Sequence, residues 1–173
     1  MDATDVAQRY FDAWNRRDPG AIFATFAEGG TYTDPNAPEG LSDRAIAEYA
    51  AGLFAAFPDL TFDVLDHNAT GDGTVAARRL MRGTNTGPFR GNPPTGATVA
   101  LPGADFIAVE GDKVRSVEGY FDRADLRRAA RAAGDRAAPL RWAVFLRLRR
   151  SHPVGQAFEA QSRWPHLDTG SLG

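Results

Sequence analysis

The 173 residues contain no cysteine. That absence removes disulfides, thiolate nucleophiles, zinc–thiolate sites and iron–sulfur clusters, and it leaves the redox compartment unmarked. Histidine is almost as scarce: His67, His152 and His166 are scattered, and their spacing suits no metal site. No stretch approaches the roughly 20 apolar residues of a membrane span, so no span is expected. The start, Met1-Asp2-Ala3-Thr4-Asp5, is acidic and lacks the apolar core of a secretory signal, which makes a cytoplasmic protein the expectation. An excess of either charge is missing too. Twenty basic residues face 22 acidic ones, for a net charge of -2, so no global field draws the chain to nucleic acid or to an anionic surface. Lysine occurs once, at Lys113, and every other basic residue is arginine.

What is present suits a globular protein, since 43% of the residues are hydrophobic and 24% charged. The charge is uneven along the chain. Residues 1–122 hold 10 basic and 18 acidic side chains, whereas residues 123–173 hold 10 and 4. This divides the chain into an acidic body, residues 1–134, and an Arg-rich helical extension, residues 135–173, expected to pack on the body or on a partner subunit. The extension's Leu140, Trp142, Phe145 and Leu148 alternate with Arg141, Arg147, Arg149 and Arg150 as an amphipathic helix would. A nucleic-acid role would need basic patches on the body as well, and the body is acidic.

Val6, Tyr10 and Trp14 recur at i, i+4 and i+8, which predicts a helix capped at Thr4. Asp18-Pro19 opens a second short helix that buries Ile22, Phe23 and Phe26 and ends at Gly29-Gly30. A brief strand at 31–34 runs into Pro35, followed by a loop to Gly40. Ser42 then caps a third helix with a stripe of Ile46, Tyr49, Leu53, Phe54 and Phe57. Beyond Pro58 the period falls to two, predicting strands from Leu60, over 74–84, over 98–109 and over 114–122. Helices first and a run of strands afterwards indicate an α+β fold with an antiparallel sheet curled over the helices.

Several motifs in this order resemble a known family. They are Tyr10-Phe11-Asp12-Ala13-Trp14-Asn15 with Asp18, Tyr32-Thr33-Asp34-Pro35, Phe57-Pro58-Asp59-Leu60, Arg82-Gly83-Thr84-Asn85-Thr86-Gly87-Pro88-Phe89, Gly91 to Gly96, and Gly111-Asp112-Lys113-Val114. The chain resembles the SnoaL-like polyketide cyclases, in the nuclear transport factor 2-like superfamily that includes ketosteroid isomerase. The resemblance covers residues 5 to about 134. It implies a cone-shaped curved sheet around the N-terminal helices, an apolar pocket for a hydrophobic small molecule, a homodimer, and neither metal nor organic cofactor.

The resemblance also assigns roles. In ketosteroid isomerase, a system the physical chemistry of carboxyl groups often uses as its example, a carboxylate takes a proton beside a carbonyl while a tyrosine and a protonated aspartic acid hold the enolate. Asp34 matches the base, Asp105 the second acid and Tyr10 the tyrosine, with a Tyr10-to-Asp34 spacing like that of the isomerases. Family cyclases place an aspartate on the last strand where this chain has Gly119, with Glu118 and Asp122 beside it. Tyr32, Trp14, Phe54, Arg79, Asn85 and Tyr120 are the candidate substrate contacts.

Asp105 can also be placed from pairing. If Val109 faces Val114 across the turn at Gly111-Asp112, Asp105 faces Glu118, and two carboxylates on one face resist joint ionisation. A bulge of one residue would separate them. Blander roles exist for each group: packing for Tyr10, a turn for Asp34, backbone bonding for Asp105. The expected reaction is proton abstraction from a hydrophobic carbonyl compound, cyclase- or isomerase-like. The alternatives are opening of an epoxide by activated water and binding without catalysis.

Overall fold

A computed structural model describes residues 1–125. The extension from 135, its amphipathic helix and the boundary at 134 lie outside the described residues. In chain order the elements are α1 (Ala3–Asn15), α2 (Pro19–Ala24), β1 (Phe26–Asp34), β2 (Ala37–Ser42), α3 (Arg44–Ala56), β3 (Thr61–Ala69), β4 (Thr74–Thr84), β5 (Thr98–Glu110) and β6 (Lys113–Phe121). Among the described residues no helix is long and apolar enough to cross a membrane.

The six strands form one curved sheet in the order β2-β1-β6-β5-β4-β3. Every neighbouring pair is antiparallel except β1 and β6, which run parallel. That pair joins the first strand to the last, so no hairpin in the sequence announces it. Helix α1 buries Val6, Tyr10, Phe11 and Trp14 against β3 to β6. Each such aromatic contributes about 1.5–3 kcal/mol by leaving water.

Several boundaries differ from the sequence reading, each for a local reason. The cap of α1 is Asp2, whose amide donates to Asp5 at 3.2 Å. Helix α2 stops at Ala24, leaving Phe23 partly exposed, and Phe26 opens β1 instead. Gly29 and Gly30 end no helix; they form the irregularity where β1 shifts register against β6, Gly29 with φ of 69°. The loop after Pro35 is strand β2, because the turn before it closes on the Asp34 carboxylate, which accepts from the amides of Asn36 at 2.6 Å and Ala37 at 2.9 Å. Asp43, at φ 52°, precedes α3 in place of Ser42.

The motifs that carried the resemblance build this frame. Asn15 exchanges two hydrogen bonds with the backbone of Phe62, donating to its carbonyl at 3.0 Å and accepting from its amide at 2.7 Å. Asp18 caps α2 by accepting from Ala21 N at 2.9 Å. Asn85 is fully buried. It donates to the carbonyls of Ala56 and Gly87 and accepts from the amide and hydroxyl of Thr95, so it ties α3 to the loop before β5 and is fully engaged there. The expectation of a substrate contact at Asn85 gives way to this structural one.

Gly87 marks the tightest of these joints. A Cβ there would lie 1.9 Å from the Ala55 carbonyl oxygen, a backbone atom that cannot step aside. Gly87→Ala is expected to lower stability by about 3 kcal/mol, the upper end of overpacking. Gly52→Ala, on α3 with nothing within 4 Å, should instead be neutral or stabilise by up to about 1 kcal/mol. Urea unfolding of both variants checks the contrast.

Asp59 accepts from the amide of Thr84 at 2.6 Å and from its hydroxyl at 2.7 Å, which together hold its carboxyl below the ordinary carboxylate range. A depressed folded pKa contributes stability that is present above the unfolded pKa and lost as pH falls through the folded one. Asp59→Asn should therefore lower stability at neutral pH, change it little below the folded pKa, and so flatten the acid side of the stability profile below about pH 4. An unaltered profile would show that the Thr84 contacts do not persist in solution.

Candidate active site

Two buried polar groups face the helices from the sheet. The first is Asp34, at the end of β1 and 6% exposed. Besides the two turn amides at Oδ1, it accepts at Oδ2 from the hydroxyls of Tyr32 at 2.9 Å and Tyr49 at 2.6 Å. Four donors therefore meet the four lone-pair positions of the carboxylate. Burial pushes both phenols above their ordinary range, with the Asp34 charge second at Tyr49 and the neighbouring Tyr49 second at Tyr32, so they remain protonated and able to donate.

The second group is the pair Arg79–Asp105, 3% and 4% exposed. Arg79 Nη2 donates to Asp105 Oδ1 at 3.0 Å, and Nε lies 3.2 Å and 3.3 Å from the two carboxylate oxygens. Burial pushes the Asp105 carboxyl up, and Arg79 draws it only part of the way back. Burial works against the Arg79 charge as well, but Asp105 more than offsets it. The guanidinium sits 5.0 Å from the Phe62 ring centroid and 5.7 Å from that of Phe121.

Two strand glycines make room for these groups. Gly103 faces Arg79 across β4 and β5, and a Cβ there would stand 2.6 Å from Nη1 and 2.7 Å from Cζ, so the guanidinium lies on bare backbone. Gly119 faces Asp105 across β5 and β6. A Cβ there would be 3.2 Å from Asp105 Oδ1 and 3.3 Å from Asp34 Cβ. The position that the resemblance aligns with a cyclase carboxylate thus lies between the two aspartates that this chain does carry.

The pairing with Glu118 is overturned. Val109 does face Val114, but a bulge between Ala108 and Val109 shifts the register, so Phe106 faces Glu118 and Asp105 faces Gly119. Glu118 lies on the outer face of the sheet, where it accepts from Tyr120 at 3.0 Å. Tyr120 is 53% exposed on that same face. Neither is brought to Asp34 or Asp105. Phe54 packs edge-on behind Trp14, with ring centroids 5.5 Å apart. Tyr10 is buried among Phe11, Trp14 and Phe26, and burial, with the Asp105 charge second, pushes its phenol well above its ordinary range.

Asp34, Tyr32, Tyr49, Trp14, Phe62 and Arg79 are among the residues lining a cavity of about 20 Å³, which is room for one water. The expected apolar pocket is nearly filled by its own aromatic side chains, and a ring-sized ligand requires them to part. A roomier groove of about 370 Å³ lies outside, along Arg9, Arg16 and Lys113. Two of its cations are already bound to backbone carbonyls, Arg9 to Asp112 and Lys113 to Ala24. Among the described residues no group of three histidine, aspartate or glutamate side chains is placed to hold a metal ion.

Sequence reasoning did not single out Tyr49, Phe62 or Gly103. Tyr49 stood on the predicted stripe of the third helix as the one hydroxyl among apolar neighbours, a signal that was available. Gly103 inside a strand was another.

The comparisons with known proteins agree on the fold. Among solved structures, a proposed SnoaL-like polyketide cyclase from Jannaschia sp. CCS1 is 23% identical, with a TM-score of 0.67 over 75% of this chain and 92% of that one. IdmH from Streptomyces antibioticus, a proposed polyketide cyclase, is 25% identical, with a TM-score of 0.61 over 73% and 96%. A protein of ketosteroid isomerase-like fold from Catenulispora acidiphila, solved with trimethylamine, is 21% identical, with a TM-score of 0.62 over 72% and 91%. Comparison with curated proteins found no significant match. The profile of the SnoaL-like polyketide cyclases matches residues 4–130, nearly three-quarters of the sequence, and the chain belongs to that family.

Proposed function

We propose that the protein is a cofactor-independent enzyme, cyclase- or isomerase-like, that takes a proton from beside the carbonyl of an apolar compound. Asp34 is the base. Tyr49, the less buried of its two phenol partners, yields its place at Oδ2 to the substrate C–H. The Arg79 charge faces the oxyanion that develops, and Asp105 positions Arg79. Tyr10 closes the apolar wall behind them.

The observation that carries this reading is a buried carboxylate and a buried guanidinium lining one apolar cavity. In so dry a setting, charge development opposite a fixed cation is stabilised far more than in water. Family membership supports a small-molecule, cyclase-like role and leaves the reaction open.

Incubation with cyclohexanone in D2O tests it. Deuterium should enter the positions beside the carbonyl faster than in buffer alone; bound ketone without exchange would overturn the proposal. A second reading, opening of an epoxide by water, draws on the room for a single water beside Asp34 and Arg79. Oxygen-18 appearing in a diol formed from cyclohexene oxide would favour it.

A further inference from the structure

We infer that the cavity is a two-donor site for one neutral oxygen, held by the indole N–H of Trp14 and the Nη1–H of Arg79. The inference rests on the small-molecule reading above and narrows its substrate class. Trp14 Nε1 and Arg79 Nη1 are both buried, and neither has a hydrogen-bond acceptor among the described residues. The indole N–H lies close to the Tyr10 hydroxyl and works against the burial that raises that phenol's pKa, yet it stays outside hydrogen-bond geometry. Buried unpaired donors are rare because each forfeits its hydration, and a charged donor forfeits the most. Here two such donors belong to side chains that line the same cavity.

That cavity has room for one water. The space suits a single oxygen, from a water or from a ligand. The surrounding charges select the kind of oxygen. Asp34 accepts from two amides and two phenols, and Asp105 balances Arg79. The interior thus holds two carboxylates against one guanidinium. A carboxylate or phosphate ligand would add a second uncompensated negative charge at low dielectric. A ketone or epoxide oxygen adds none. The remaining wall, with Phe62, Phe121, Leu53 and Met81, suits a hydrocarbon body.

The test follows the Trp14 indole resonance in the 15N-labelled full chain, identified by its nuclear Overhauser contacts to Phe54 and Phe62, whose ring centroids lie 5.5 Å and 5.4 Å away. Cyclohexanone should move that proton downfield in a saturable way. Cyclohexanecarboxylate should bind at least tenfold more weakly, and methylcyclohexane should cause no downfield shift. In Asp34→Asn the ketone-induced shift should persist while deuterium exchange slows by about 10²–10⁴-fold. A resonance unmoved by cyclohexanone up to its solubility limit, or a carboxylate that binds more tightly than the ketone, overturns the two-donor site. Exchange without the shift removes this inference and leaves the proposed reaction standing. The shift without exchange removes the reaction and leaves the site.

Discussion

Arg79→Met is expected to destabilise the protein by about 3–5 kcal/mol, because it strands the Asp105 carboxylate in the interior. The loss should depend on pH. Burial already raises the Asp105 pKa, and without Arg79 it rises further. For an acid whose folded pKa is raised, stability is greatest where the group is protonated and declines as pH climbs from the unfolded towards the folded value. The variant should therefore lose more at pH 8 than at pH 5 in urea unfolding. Asp105→Leu should lose a comparable amount with little pH dependence, since the guanidinium it strands stays charged across that range. Combining Arg79→Met with Asp105→Leu should recover most of the loss, as replacement of a whole buried pair by apolar groups usually does. A double variant no more stable than either single would show that the site depends on something other than the charge pair.

The second large effect is on turnover. Asp34→Asn should slow the exchange reaction by about 10²–10⁴-fold, the range for loss of a general base. Its fold should survive. The asparagine oxygen can still accept from the Asn36 and Ala37 amides, and its NH2 can donate to the phenols of Tyr32 and Tyr49, whose oxygens also accept. Asp34→Ala removes that possibility and leaves all four donors without their acceptor, so it should cost about 3 kcal/mol besides the activity. Exchange rates from NMR, set beside urea midpoints, separate the two effects. Full turnover in Asp34→Asn would exclude Asp34 as the base.

The resemblance rested on motifs whose residues prove to be mostly architectural. Asn15 holds β3, Asp18 starts α2, Asp59 anchors Thr84, and Asn85 ties α3 to a loop. A pattern of joints identifies a fold well and a reaction poorly, which is why the architecture was legible where the chemistry was not. Asp34 belongs to both groups: its carboxylate closes a turn with one oxygen and meets two phenols with the other.

Periodicity and punctuation in the sequence were enough to determine the α+β order, the buried stripe of α1 and the two long central strands. These depend on neighbours along the chain, and the chain displays its neighbours. Only the tertiary structure decided which carboxylates meet. One bulge at Ala108 and Val109 exchanged Glu118 for Gly119 opposite Asp105, and a residue 26 positions away, Arg79, became its partner. In a strand a slip of one residue reverses every side chain, and the bond that sets the slip is made across the sheet, where sequence spacing carries no record of it.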